Sequence, residues 1–384
     1  MRILVLHSRY LSDAASGENR VVDDEIRLLR EAGHEVSEWR PSVEPDSSAL
    51  TLTVDAIWSR SATREVRRLV DERRPDVVHV HSLYPRLSPA ILRALPRALP
   101  IVMTLHNFRL MCLPATYLRD GAICEDCAGK LPWRGVVHAC YRNSRAASAV
   151  LGASLAVHRT VGTFERVQHF LAVSRFVLDK HVEAGLDAGR LVVKSNFAWP
   201  TAPRAGAGGP LLFVGRVAPE KGLATILRVL PPALEILVVG DGSERARLER
   251  EAGAGVTFVG QVDASEVPGL LRRARALVVP SLWYEGQPRV IVEAFAAGVP
   301  VLASRIGGLP ELVEEGVNGH LVEPGDEEMW RAAFERVSDD EHSQRLGDGA
   351  LATWQRRFTP AVALAELEET YRDAVAAVAA HSLR

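Results

Sequence analysis

Along the chain, short apolar runs alternate with longer segments in which apolar residues recur every three or four positions. Residues 2–6 form the first such run and predict a strand, followed by a polar stretch over residues 8–17. In residues 18–32, Val21, Val22, Ile26 and Leu29 are spaced to bury one face of a helix. Gly33 ends that helix, and residues 35–39 read as the next strand. The unit recurs, with strands at 76–81 and 100–105 around a helix at 88–95. A further strand at 170–173 leads into a helix after Ser174, and 191–193 closes the half. Ligands of such folds bind at the carboxyl ends of the strands, where the connecting loops lie.

Residues 197–210 break the pattern: three Pro, three Gly and four Ala with no apolar period mark a linker. Strands are then expected at 211–215, 235–239, 256–259, 276–279 and 300–303, with helical segments between them, which is a second parallel sheet. Residues 361–380 carry Leu364, Leu367, Tyr371, Val375 and Val378 along one stripe and predict an amphipathic closing helix. The expected fold class is α/β, with two doubly wound parallel-sheet domains, 1–198 and 199–360, facing a cleft. The terminal helix, 361–384, packs back on the first domain, which carries a Cys-rich insertion at 107–145.

Composition narrows the function. The 384 residues suit two domains, and 47% hydrophobic content is ample for two cores. The 46 basic and 48 acidic residues nearly cancel, which argues against a general nucleic-acid binder. Arg64, Arg67, Arg68, Arg73 and Arg74 are interrupted by Glu65, Asp71 and Glu72, and read as the solvated face of a helix. The apolar run after Met1-Arg2 is too short for a secretory signal core. Residues 146–157, mostly small and apolar, fall short of the ~18 needed to span a bilayer. They predict a buried helix, with a lipid-touching surface as the alternative, so the expected location is cytoplasmic and at most peripheral to a membrane.

The most informative segment is residues 281–294. Glu285 and Glu293 stand eight positions apart, the first in a loop after the strand 276–279, the second one to two turns into the next helix. Backbone amides around Gly286, Gln287, Pro288 and Arg289 open that helix, and helix N-termini attract anions. An anion held there would have a carboxylate on either side to accept hydroxyl hydrogen bonds, an arrangement suited to a sugar phosphate. The plainer alternative is one acid that stabilises the helix dipole and one that is solvated.

With residues 296–301, 307–313, 316–322 and 324–326, and with residues 213–216 leading to Glu220-Lys221-Gly222, this Glu-x7-Glu spacing resembles the retaining GT-B glycosyltransferases of family 4 (group 1). The resemblance spans nearly the whole chain and is dense over 211–326. It implies transfer of a hexose-type sugar from a nucleotide-diphosphate sugar (UDP, GDP or dTDP) to an acceptor hydroxyl, with retention of configuration. The acceptor would be a small molecule, a glycan or a lipid-linked molecule. The resemblance also implies that Arg216, beside Gly215, and Lys221 bind the donor diphosphate, Glu285 the sugar hydroxyls and Glu293 the ribose. Backbone near Gly260, Gln261 and Val262 would meet the base. With no Asp-x-Asp at a strand end, no catalytic metal is implied. His106, ending the strand 100–105, occupies the position of the family's histidine beside the donor sugar, with Asn107 where Asp is often found. The loop Ala14-Ala15-Ser16-Gly17 resembles the family's Gly-Gly loop with Ser16 in place of the first glycine. His79 is expected inside its strand and His81 merely near the edge. Readings of another class are a GT-B epimerase or hydrolase, or a noncatalytic nucleotide-sugar binder.

All four cysteines fall between residues 112 and 140. Cys124 and Cys127 have the C-x2-C spacing of a chelating turn, flanked by Cys112 and Cys140. In a chain read as cytosolic, that spacing favours a structural zinc with four thiolates over two disulfides, an iron-sulfur cluster or four plain thiols.

Overall fold

The computed structural model describes residues 1–9, 17–42 and 55–382. The chain divides into two compact units. One comprises Met1–Tyr117, Cys124–Lys194 and Leu364–Arg384, and the other Leu118–Ile123 and Ser195–Ala363.

The first unit is built on a parallel sheet of β1 (Arg2–Leu6), β2 (Glu35–Trp39), β3 (Val77–Val80), β4 (Ile101–Leu105), β5 (His169–Ala172) and β6 (Leu191–Val193). Their order is β2-β1-β3-β4-β5-β6. β1, β3 and β4 are apolar and buried along nearly their whole length, as strands covered by helices on both faces must be. Helix α1 (Gly17–Glu31) buries Val21, Val22, Ile26 and Leu29 as the spacing required, and also buries Glu25. Helix α2 (Arg145–Thr160) lies over the expected buried segment. It hides Leu151 and Leu155 with small residues Ser148, Gly152 and Ser154, while Val157 is exposed. No described helix is long and apolar enough to cross a membrane. Arg68 pairs with Glu65 and Glu72 on the surface of its helix, where the arginine-rich run reads as a solvated face.

The second unit carries β7 (Leu211–Val214), β8 (Ile236–Val239), β9 (Val256–Gly260), β10 (Ala276–Val279), β11 (Val301–Ser304) and β12 (Gly319–Val322). Their order is β9-β8-β7-β10-β11-β12, all parallel. β12 was not expected as a strand, because its Gly and His interrupt the apolar run. Pairing with β11 buries all four residues regardless.

Two boundaries differ from expectation. The second unit starts at Ser195, because Ala198 is tied into its core by bonds from its own N–H to the Phe358 carbonyl and from Trp354 Nε1 to its carbonyl. The closing helix, α3 (Pro360–Ser382), crosses from the second unit to the first after Ala363. Its buried stripe is Ala363, Leu367, Thr370, Tyr371 and Ala374, whereas Val375 is 36% exposed. Small alanines and a hydroxyl let the helix approach closely, which the search for large apolar residues missed.

Candidate functional site

In each sheet the strand order reverses once, and the loops leaving the strands on either side of that point diverge and leave a crevice. In the second unit the reversal lies between β7 and β10. The loop after β7 delivers Gly215, Arg216 and Lys221, and the loop after β10 delivers residues 281–285.

Two glycines let these loops meet. Gly222 follows the tight turn Pro219–Lys221 at φ +70°, and a Cβ there would lie 1.9 Å from the carbonyl oxygen of Pro280, at the end of β10. The Leu282 N–H then donates to the Glu220 carbonyl at 2.8 Å. Gly307, at φ +60°, packs flat on the backbone of Glu285, where a Cβ would come within 2.6 Å of the Glu285 carbonyl oxygen. Gly308 N–H donates to that same oxygen at 2.8 Å. The loop is therefore held at both ends, by the Gly222 turn against residues 280–282 and by Gly307 and Gly308 against the Glu285 backbone.

Glu285 is buried, at 8% exposure. Its Oε1 accepts from Lys221 Nζ (2.7 Å), Ser281 Oγ (2.7 Å) and Trp283 Nε1 (2.8 Å). Burial alone pushes this carboxyl up, but the Lys221 ammonium and the three donors outweigh it and hold the group below the usual glutamate value. Trp283, to which the sequence reading gave no role, also lies beneath both cations. Lys221 Nζ is 5.0 Å and the Arg216 guanidinium 5.9 Å from the ring centroid. Arg216 is exposed and paired with Glu220, a second acid that the motif reading passed over.

The remaining donor-side positions divide. Glu293 sits in the second turn of the helix Arg289–Ala296 and accepts from Arg289 Nε at 2.8 Å, with both side chains nearly buried. It is no solvated acid. Pro288 caps that helix and Gly286 precedes it, both at the mouth of the loop. Gln287 turns inward: its side-chain oxygen accepts from Asn196 N–H and its backbone carbonyl from Asn196 Nδ2. That amide braces the loop. Gln261 and Val262 leave β9 after Gly260, with Gln261 exposed and Val262 packed on the core.

In the first unit, β1, β3 and β4 deliver His7, His81 and His106 to one end of the sheet. His81 is a correction, being buried at 2% exposure rather than marginal. Its Nδ1 shares a 2.9 Å hydrogen bond with His106 Nε2, and the rings stack at 5.2 Å. His7 Nε2 bonds Asn19 Oδ1 at 2.7 Å. Glu18 gathers Asn107 Nδ2 on one oxygen and Ser82 Oγ, at 2.9 Å, on the other. Gly17 is the exposed first residue of α1. Ala14, Ala15 and Ser16 of the proposed glycine loop lie outside the described residues.

A buried charge network supports these histidines. Lys194 donates to Glu25 Oε1, and Glu25 Oε2 lies 3.9 Å from His79 and 3.7 Å from His81 Nε2. His79, fully buried as expected, bonds the Tyr371 hydroxyl at 2.7 Å and Thr104 Oγ1 at 2.8 Å. Burial drives His79 down to about 4 and His81 well below its ordinary value, the latter helped by neighbouring His79 and His106. Burial also lowers His106, against the pull of Glu18 and Glu25. Burial would raise Glu25, but Lys194 outweighs it and keeps the acid ionised. Glu25, His79 and His81 place ligating atoms within 4.8 Å of one another. Lys194 already neutralises that carboxylate, and both His79 nitrogens are bonded, so the group reads as a structural network and not a metal site.

The four cysteines are described too, Cys112 buried and Cys124, Cys127 and Cys140 half-buried.

Two doubly wound sheets with their crevices lined in this way define a glycosyltransferase of the GT-B architecture. A family model for glycosyltransferase family 4 matches residues 15–198, and one for glycosyl transferases group 1 matches residues 209–340. The chain belongs to these group 1, family 4 glycosyltransferases. It is 29% identical to the glycogen synthase of Mycobacterium tuberculosis, over 88% of this chain and 86% of that one. It is 28% identical to the phosphatidyl-myo-inositol mannosyltransferase of Mycolicibacterium smegmatis, over 94% and 91%. Among solved structures, the sucrose-phosphate synthase of Thermosynechococcus elongatus matches with a TM-score of 0.72 at 20% identity, covering 97% of this chain and 99% of that one. Anabaena HepE in complex with UDP matches with a TM-score of 0.64 at 21% identity, covering 96% and 99%. At these identities the solved structures speak for the fold.

Proposed function

We propose that the protein transfers a hexose-type sugar from a nucleotide-diphosphate sugar to an acceptor hydroxyl, with retention of configuration and without a catalytic metal. The observation that carries this reading is the Lys221–Glu285 pair at the reversal point of the second sheet, with Arg216 alongside.

When the glycosidic bond to the leaving diphosphate breaks, negative charge grows on the phosphate oxygens. Lys221 and Arg216 are fixed cations whose attraction strengthens as that charge develops, so they act on the transition state more than on the bound donor. Trp283 beneath them and Glu285 beside them hold Lys221 in place before the donor arrives. With three donors on Oε1, the other oxygen of Glu285 is the one to accept from a sugar hydroxyl. Glu293, oriented by Arg289, accepts from the ribose hydroxyls, and backbone near Gly260, Gln261 and Val262 meets the base. His106 takes part in the neutral form, as a hydrogen-bonding partner of a sugar hydroxyl rather than as a cation. The leaving phosphate itself accepts the acceptor's proton on the same face. The complexes of HepE with UDP and with UDP-glucose support a nucleotide-sugar donor.

The test is a thermal-shift screen of UDP-, GDP- and dTDP-sugars, followed by turnover with the donor that binds. A ligand at 100 times its Kd stabilises the native state by about 2.7 kcal/mol, a clear rise in melting temperature. Donor bound and sugar transferred is the expected result. Binding without turnover, or an epimerised donor, would replace transfer with one of the other readings.

A further inference from the structure

Two polar atoms of the first unit face each other in its interior, and neither has a hydrogen-bond partner among the described residues. They are Glu25 Oε2, on α1, and His81 Nε2, just past β3, 3.7 Å apart. Both side chains are buried. Lys194 occupies the other oxygen, Oε1, and its ammonium keeps the carboxylate ionised. An ionised carboxylate only accepts, so Oε2 favours a proton-bearing neighbour. The other rings around His81 are otherwise engaged. His79, with its centroid 4.2 Å away, bonds Tyr371 and Thr104 through its two nitrogens, and His7 meets His81 edge-on at 6.2 Å.

That carboxylate orders the protons of two histidines. With its proton on Nδ1, His81 would set an Nε2 lone pair against a carboxylate lone pair in a buried place, where repulsion is poorly screened. With the proton on Nε2, an N–H dipole faces the anion instead. A neutral imidazole has one donor nitrogen and one acceptor nitrogen, so His81 Nδ1 then accepts. Its partner at 2.9 Å, His106 Nε2, must donate. Burial lowers the affinity of both rings for a second proton, in His106 against the pull of Glu18 and Glu25. A neutral His106 that donates from Nε2 carries its lone pair on Nδ1. His106 is only half-buried, and its Nδ1 bonds none of the described residues.

We propose that Glu25, acting through His81, is a positioning residue that fixes His106 as the Nε2–H tautomer, so that His106 Nδ1 accepts a hydrogen bond from a hydroxyl of the donor sugar. This rests on the reading of His106 as a partner of that sugar. The N–H groups of His81 and His106 both point toward Glu25, and the sugar hydroxyl joins the row as its last donor. A hydroxyl can donate or accept, so the ring decides which it does. The consequence is selectivity: at that position a group with a hydrogen to donate is favoured over one that only accepts, such as fluorine.

The test uses the full-length chain with isotope-labelled histidine rings, in which nitrogen NMR tells a protonated ring nitrogen from a bare one. With the signals assigned through His81→Gln and His106→Gln, both rings should be neutral at neutral pH, each with its proton on Nε2. His106 found as the Nδ1–H tautomer, or as a cation, would overturn the proposal. Glu25→Met combined with Lys194→Met removes both buried charges at once, an exchange that proteins often tolerate. In that variant His106 should show both tautomers, and an unchanged spectrum would remove Glu25 from the role. If the variant fails to fold, the wild type still decides: the sugar nucleotide selected by thermal shift should move the His106 Nδ1 signal, and the nucleoside diphosphate alone should not. Dissociation constants for that sugar nucleotide and its monodeoxy-fluoro analogues complete the test. At one position the wild type should prefer hydroxyl over fluorine by roughly two- to tenfold more than the variant does, the worth of one hydrogen bond. Equal preferences at every position would also overturn the proposal. The expected spectra and preferences in a protein that binds the sugar nucleotide but transfers nothing would refute the transfer reading and support this one.

Discussion

Lys221 Nζ lies 2.7 Å from Glu285 Oε1, an ion pair formed by two loops that leave the second sheet on either side of its reversal point. The pair joins residues 64 positions apart in sequence. Its geometry rests on Gly222 and Gly307, which let backbone approach backbone at both ends.

Lys221→Ala should therefore leave a folded protein that has lost most of its transfer rate. Removing one preorganised donor to a developing oxyanion typically costs about 10²–10³ in rate. Steady-state kinetics with the identified donor, beside circular dichroism to check the fold, measures this. A wild-type rate would remove Lys221 from the site.

Trp283 separates two roles. Trp283→Phe keeps a ring beneath the cations and loses only the hydrogen bond to Glu285, worth about 0.5–1.5 kcal/mol, so kcat/KM should fall no more than roughly tenfold. Trp283→Ala removes both contributions and should fall further. Equal losses in the two variants would mean that the ring contributes nothing.

Gly307→Ala places a methyl group against the Glu285 carbonyl and forces alanine to a positive φ. The expected destabilisation is about 1–3 kcal/mol, seen as a lowered melting temperature together with reduced activity. Gly316→Ala is the control, because Gly316 has a positive φ of 73° but nothing within 4 Å of its Cβ position. If the two variants behave alike, close approach to Glu285 is not what Gly307 provides.

Acid should destabilise the first unit through its buried histidines. His79, His81 and His106 all titrate below their ordinary value when folded, so at pH 5–6 the unfolded chain binds more protons than the native one. Stability is then fully present above about pH 6.5 and falls as pH drops through and below that value, by up to about 1.4 kcal/mol per pH unit for each fully buried histidine. For His79 the loss ends near its folded value of about 4. Urea denaturation between pH 5 and 8 measures the slope, and His79→Gln should flatten it. A slope of the opposite sign would contradict the neutral network around Glu25 and Lys194.

Much of the fold was legible in the chain's periodicity, because strands buried on both faces must be apolar throughout and helices against them must carry one apolar stripe. The strands at 2–6, 35–39, 191–193 and 276–279 lie where the pattern puts them. Pairs such as Glu285 with Glu293, or Lys221 with Gly222, were visible as spacing, which also carried the resemblance to family 4. Tertiary structure alone decided what those residues touch. It placed Trp283 and Ser281 on Glu285, turned Gln287 inward to Asn196, stacked His81 on His106, and set Tyr371 of the last helix on His79. These contacts join residues distant in sequence, and burial then sets their charge states. A periodic pattern records which face of an element avoids water, but not which polar groups from separate elements must satisfy one another once water is gone.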